Sequence, residues 1–80
     1  MTLEILTPDK KVFSGEASLV TVPGTQGSFT VLNNHAPIIS TLEAGEVKVR
    51  GAQGMETYQI SGGVIEVLKN KVVLLAESIS

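Results

Sequence analysis

The sequence predicts an all-β protein, a flattened two-layer β-sandwich or barrel of about eight to ten short strands. Three observations point there. Val, Ile and Thr supply 23 of the 80 residues, and β-branched side chains suit a pleated surface better than a helix. Eight glycines and three prolines break the chain at short intervals, as the turns of a sandwich require. No window sustains an apolar stripe of helical period over three turns. Eighty residues make one domain, spanning 1–80.

The strands follow in order. Leu3 to Thr7 is the first, ended by Pro8-Asp9. Lys11 to Phe13 is a short extended piece before Ser14-Gly15, with Phe13 a core residue and Gly15 a turn residue. Glu16 to Val22 comes next, ended by Pro23-Gly24, where proline sets φ and glycine permits a positive one. Gly27 closes that loop. Ser28 to Leu32 ends at Asn33-Asn34, and Ile38 to Leu42 at Glu43-Ala44-Gly45. Glu46 to Arg50 alternates, Val47 and Val49 on one face and Lys48 and Arg50 on the other, as a half-buried strand does. Gly51-Ala52-Gln53-Gly54 reads as a four-residue hairpin loop. Met55 to Ile60 returns, Gly62 to Leu68 continues after the double glycine, and Lys69-Asn70 turns tightly into Lys71 to Ala76. The pair Gly62-Gly63, inside a run that otherwise reads as strand, marks a bulge or a site where another backbone comes close; a bulge that lets the two sheets approach is favoured over direct contact with a partner.

Composition narrows the function. There are no cysteines, hence no disulfide and no thiolate metal site. The single His35 has no carboxylates at metal-ligand spacing. Net charge is −2, the six basic residues are scattered, and three aromatics give no base-stacking platform, so nucleic acid is not the partner. Apolar residues make up 42% of the chain and the mean hydropathy is +0.27. A surplus of that size in a small domain is either an interface or a tight core, and composition does not separate them. No apolar run spans a bilayer and no secretory signal is seen, so a cytoplasmic or cytoplasm-facing protein is the default.

No constellation carries catalysis. Ser14-Gly15 and Ser61-Gly62-Gly63 are not nucleophile elbows, and one histidine offers at most one base. The acidic residues stand alone along the strands. Gly24-Thr25-Gln26-Gly27 lacks the ending of a phosphate loop and no helix follows it. His35, in the turn Asn33-Asn34-His35-Ala36-Pro37, reads by itself as an exposed or hydrogen-bonded loop residue.

Four segments carry a resemblance: Val12-Phe13-Ser14-Gly15, Asn33-Asn34-His35-Ala36-Pro37, Ile60-Ser61-Gly62-Gly63-Val64-Ile65-Glu66-Val67 and Asn70-Lys71-Val72-Val73-Leu74-Leu75-Ala76-Glu77. In this order and spacing the chain resembles, over essentially its whole length, the N-terminal β-sandwich of the epsilon subunits of F-type ATP synthases. The resemblance implies a non-catalytic rotor subunit between the gamma subunit of the central stalk and the c-ring. It couples proton flow to ATP synthesis at the cytoplasmic face of a bacterial inner membrane, without inserting into it. It implies gamma contact at His35, Ala36, Pro37, Ile38 and Ser40, and ring contact at Gln26, Gly27 and Ser28. It implies no cofactor and no small-molecule substrate.

The chain departs from the family in two places. Relatives commonly read Gly-Glu-x-Gly-Ile-Leu-Pro where this chain has Gly27-Ser28-Phe29-Thr30-Val31-Leu32-Asn33. Ser28 replaces the acidic residue, Thr30 the second glycine and Asn33 the proline, leaving a polar, uncharged ring contact through Gln26 and Ser28. The two-helix C-terminal domain of many epsilon subunits, which binds ATP in some and inhibits hydrolysis in others, has no counterpart after Ser78-Ile79-Ser80. ATP binding and inhibition through such helices are therefore not expected. The alternative is a biotinyl- or lipoyl-type carrier domain, by fold analogy. Lys69-Asn70-Lys71 offers a hairpin lysine for it, but neither Ala-Met-Lys-Met nor Asp-Lys-Ala occurs.

Overall fold

Alternation of apolar and polar residues builds eight strands: β1 (Thr2–Thr7), β2 (Lys10–Gly24), β3 (Gly27–Leu32), β4 (Ile38–Leu42), β5 (Gly45–Gly51), β6 (Gly54–Ile60), β7 (Gly63–Leu68) and β8 (Lys71–Ala76). They come from a computed structural model that describes residues 1–80. The fold is all-β, as expected.

Hydrogen bonding runs β1-β8-β7-β4-β2-β5-β6, with β3 also on β2 and β1 returning to β2. All pairs are antiparallel except β1 with β8, which is parallel from Thr2↔Lys71 to Leu6↔Leu75. β2 makes the two layers. Its first half pairs with β1, from Lys10↔Thr7 to Glu16↔Thr2. Its second half lies between β3 (Leu19↔Leu32 to Gly24↔Gly27) and β5 (Ala17↔Gly51 to Thr21↔Lys48). The register shifts between Ala17 and Leu19, and an extra residue in one strand bends it. One layer is therefore β4-β7-β8-β1 with the start of β2, and the other is β3, the end of β2, β5 and β6. The molecule is 19 Å across its shortest axis, the thickness of two sheets about 10 Å apart with their outer side chains.

The core lies between the layers. Leu3, Ile5, Ile65, Val67, Val72 and Leu74 face Val20, Val22, Val31, Val47 and Val49, none more than 2% exposed. Burying each such side chain contributes roughly 1.5–3 kcal/mol. No polar side chain is buried. The layers meet at two corners, Gly24↔Leu42 and Ile60↔Ile79.

Four expectations are corrected. Lys11–Phe13 and Glu16–Val22 are one 15-residue strand, because hydrogen bonding to β1 continues through Ser14 and Gly15. Gly15 is thus a strand residue, with space for a Cβ at 3.9 Å from the Phe13 ring. Pro23 and Gly24 also lie in β2, paired with Ser28 and Gly27. The turn is Thr25-Gln26, and the positive φ (128°) is at Gly27. In the same way Gly51 pairs with Gly54, so that hairpin turns on Ala52-Gln53, and Gly54 has φ 108°. Finally, Gly62-Gly63 is the link by which the chain leaves β6 in one layer for β7 in the other. Gly62 has φ 149°. A Cβ on Gly63 would collide with the Leu75 carbonyl oxygen and lie 3.1 Å from Ala76 Cα. The close approach is to β8 in its own layer, where Gly63 pairs with Ala76.

Candidate functional site

The turn between β3 and β4 is tied down by backbone N–H groups and by two asparagine side chains. Asn34 is left-handed (φ 64°), a conformation that asparagine tolerates better than most residues. Its N–H donates to Asn70 Oδ1 at 2.8 Å. The His35 N–H donates to the Leu32 carbonyl at 3.2 Å. Asn33 Oδ1 accepts from the Met1 ammonium, which also donates to the Ala17 carbonyl at 3.0 Å. Asn70 sits in the two-residue turn between β7 and β8, where Lys69 and Asn70 have φ 51° and 60°, as the tight hairpin turn requires. Two turns distant in sequence thus brace each other.

His35 is half-buried, and Ala36 and Pro37 are exposed. The His35 Nδ1 lies 2.8 Å from the Ala36 carbonyl oxygen. A carbonyl accepts, so Nδ1 carries the proton, and in the neutral ring Nε2 is left as an acceptor. His35, Ala36 and Pro37 line a hollow of about 580 Å³ with Leu68, Lys69 and Asn70.

The period of two then separates the neighbours on β4. Ile38 and Ser40 turn toward the interior and are half-buried, Ile38 against the core. Ile39 and Thr41 turn outward, and Ile39 is 73% exposed. Ile38 and Ser40 nevertheless line a groove of about 650 Å³ shared with Gln26, Gly27 and Ser28. This groove opens between β3 and β4, which do not pair with each other. Thr25 ties its two sides together: its N–H donates to the Thr41 carbonyl (3.1 Å), and the two threonine hydroxyls are 2.8 Å apart. No charged residue lines the groove. Residues expected to meet two different partners therefore share one corner of the sandwich. Phe13 packs on the edge of the core. The Ser61 hydroxyl accepts from that of Ser78 at 2.8 Å.

The matching proteins agree with this architecture. A family model described as the β-sandwich domain of the ATP synthase delta/epsilon chain matches residues 1–80. The chain belongs to that family. Among curated relatives, "ATP synthase epsilon chain" of Chlorobaculum tepidum is 46% identical over 80 residues, covering 99% of this chain and 91% of the relative. The sodium-ion-specific epsilon chain of Propionigenium modestum is 40% identical over 75 residues, covering 94% of this chain and 55% of its own length. The chain thus spans nearly all of some epsilon chains and about half of others. Among solved structures, a chain of the Euglena gracilis mitochondrial ATP synthase (OSCP/F1/c-ring) superposes with a TM-score of 0.90 at 23% identity, covering 98% of this chain and 51% of that one. A chain of the Tetrahymena thermophila enzyme's central stalk and c-ring gives 0.87 at 17%, covering 99% and 64%. At such identities the likeness is one of fold. Membership in the epsilon family leaves the carrier-domain alternative without support. No helix of the protein is long and apolar enough to cross a membrane.

Sequence reasoning did not find one surface. Ile39, Val64, Leu68 and Leu75 are large, apolar and 37–73% exposed, and all lie on the outer side of the β4-β7-β8-β1 layer. The signal was present: Val72-Val73-Leu74-Leu75 is apolar at consecutive positions, a pattern of strands covered on both faces.

Proposed function

We propose that this epsilon-family chain is a non-catalytic subunit of the central stalk, linking the gamma subunit to the c-ring of an F-type ATP synthase. Gamma is met by His35, Ala36 and Pro37, with Ile38 and Ser40 behind them. The ring is met by Gln26, Gly27 and Ser28. The chain works at the cytoplasmic face of a bacterial inner membrane, within the F1 sector, and passes the torque of proton flow.

One observation carries the reading beyond family membership. The ring-side loop and the gamma-side strand are coupled through Thr25 and Thr41, by a backbone hydrogen bond of 3.1 Å and a hydroxyl pair at 2.8 Å. Behind them lies a core of close-packed Val, Leu and Ile. Packed interiors are stiff, so a displacement at one contact moves the other with little loss. In the notched corner between β3 and β4, the neutral Gln26 and Ser28 suit a polar, uncharged loop of the ring.

The test is association. The 80-residue chain mixed with cognate gamma at micromolar concentration is expected to give a stable complex by gel filtration, and to melt at a higher temperature in it. Absence of a complex at those concentrations overturns the assignment. Replacing His35 and Pro37 together with alanine is expected to weaken the complex about tenfold or more.

A further inference from the structure

We infer that the open edge of β6 is a pairing site for the β6 of a second copy of this chain, and that the Glu56 carboxylate holds it shut. β6 stands at the end of the hydrogen-bonded order, with β5 as its strand neighbour. In an antiparallel pair, backbone groups point alternately toward the neighbour and away from it. Gln59 fixes which residues of β6 point away. Its N–H donates to the Ser80 carbonyl at 3.2 Å, and its carbonyl accepts from the Ser80 N–H at 2.9 Å. Pairing with β5 runs without a register shift from Gly45↔Ile60 to Gly51↔Gly54. Thr57 and Met55 therefore turn their N–H and C=O groups outward as Gln59 does. Neither of them bonds to a turn or to the C-terminal tail. An edge that offers such groups is a template for another strand.

Register selects the occupant. The tail covers the edge from Gln59 onward, through Ser80, the bridge Ile60↔Ile79 and the Ser61 N–H, which donates to the Ser78 carbonyl. The turn at Ala52-Gln53 ends the edge at Gly54. Between these limits, an antiparallel twofold centred on residue 56 sets Met55 of each copy against Thr57 of the other. Both are outward residues, so each pair exchanges both of its N–H···O bonds. A twofold centred on Met55 sets Thr57 against Gln53 of the turn. One centred on Thr57 sets Met55 against Gln59, which Ser80 already holds. The register that bonds best therefore puts the two Glu56 side chains face to face. At that kind of position the Cα atoms come within about 4.5 Å, and like charges directly opposite are destabilising.

The charge is held in place and left unneutralised. Tyr58, packed against the core, donates its hydroxyl to Glu56 Oε2 at 2.9 Å, which keeps the carboxylate on the face the two residues share. Glu56 takes part in no ion pair of the chain. Its neighbour across the sheet is Val49, and alternation sends Lys48 and Arg50 of β5 to the other side. Thr57 and Tyr58 are residues that favour strands. Within the open stretch, Glu56 is thus the residue that opposes pairing.

The experiment follows the mass of the full chain by sedimentation, together with hydrogen exchange at the Met55 and Thr57 amides. In the parent chain both amides are expected to exchange fast. Glu56→Thr is expected to tighten self-association about fivefold or more and to slow exchange at both amides. Glu56→Lys by itself leaves them fast, since it sets like charges opposite once more. An equal mixture of Glu56→Lys with the parent chain is expected to pair, its lysine facing the parent's carboxylate, and to loosen in high salt. Glu56 is exposed, so melting temperatures near that of the parent chain are expected. Should Glu56→Thr fail to fold, the mixture carries the test. If neither Glu56→Thr nor the mixture slows the two amides, the inference falls. It falls as well if the parent chain already protects them by self-association, because the carboxylate then holds nothing off. A Glu56→Thr dimer whose Met55 and Thr57 amides stay fast is made through another surface and also overturns it.

Discussion

The two layers of the sandwich share one kind of inner face and differ in their outer faces. Inside, Ile65 and Leu74 of one layer and Val20 and Val49 of the other are all shielded from water. Outside, the β3-β2-β5-β6 layer carries a row of Thr30, Thr21, Lys48 and Thr57. Thr21 and Thr30 are joined at 2.9 Å and Lys48 lies 3.8 Å from Glu46. Leu32 and Met55 are exposed only at the two ends of the next row, which Leu19 and Arg50 complete. The corresponding positions of the other layer are Thr41, Val64, Leu75 and Leu6. Both layers have what they need to hold the fold. One of them has apolar surface that the fold does not use, and that surplus accounts for part of the chain's high hydropathy.

Truncation on either side of one strand separates the inner face from the outer one. Ile65→Ala removes a fully buried side chain and is expected to cost about 2–5 kcal/mol, enough to unfold much of so small a domain. The outward neighbour Val64→Ala should change stability by about 0.5 kcal/mol or less. Urea unfolding of both variants measures the difference. Similar losses would show that the outer face also stabilises the isolated chain.

Glycine substitutions come next. Gly63→Ala forces a Cβ into the Leu75 carbonyl and should destabilise by more than about 1 kcal/mol. Gly15→Ala, with its Cβ at an ordinary 3.9 Å from Phe13 and no positive φ, should be neutral or stabilise by up to about 1 kcal/mol. Thermal melts of the pair separate a glycine required by close backbone approach from one that is not.

The bracing of the turns is a smaller effect. Asn70→Ala removes the acceptor of the Asn34 N–H and should cost about 1 kcal/mol. Hydrogen exchange at the Asn34 amide should accelerate more than exchange at Val20.

The smallest effect belongs to Tyr58 on the polar layer's edge strand. Desolvation raises its pKa above the ordinary 10.0, helped by its hydrogen bond and proximity to Glu56. An acid with a raised pKa prefers its protonated form in the folded state. Its contribution is full below pH 10 and is lost as pH rises through the folded value. Unfolding followed between pH 9 and about 11 should show a decline that Tyr58→Phe reduces.

Much of the candidate site was legible because local chemistry specified it. Asn33-Asn34 and Pro37 announce a turn, and Asn34 takes the left-handed conformation there. The position of Ile39 was open to the same logic: once Leu42 is inward, a period of two puts Ile38 and Ser40 on the inner side and Ile39 outside. The bracing of Asn34 by Asn70 was not legible, since 36 residues separate them and no local pattern encodes a partner so far away.

Local sequence set the strand content, the turns at Asn33-Asn34 and Lys69-Asn70 and the alternation of Val47 and Val49 with Lys48 and Arg50, all through steric preferences of neighbouring residues. The tertiary structure decided what depends on distant segments. It made β2 one bent strand in two layers, because β1 and β5 claim different halves of it. It placed the Gln26–Ser28 loop beside Ile38 and Ser40, and left Val64 and Leu75 in water while Ile65 and Leu74 went dry. Alternation assigns residues to two faces; which face is covered depends on the layer packed against it.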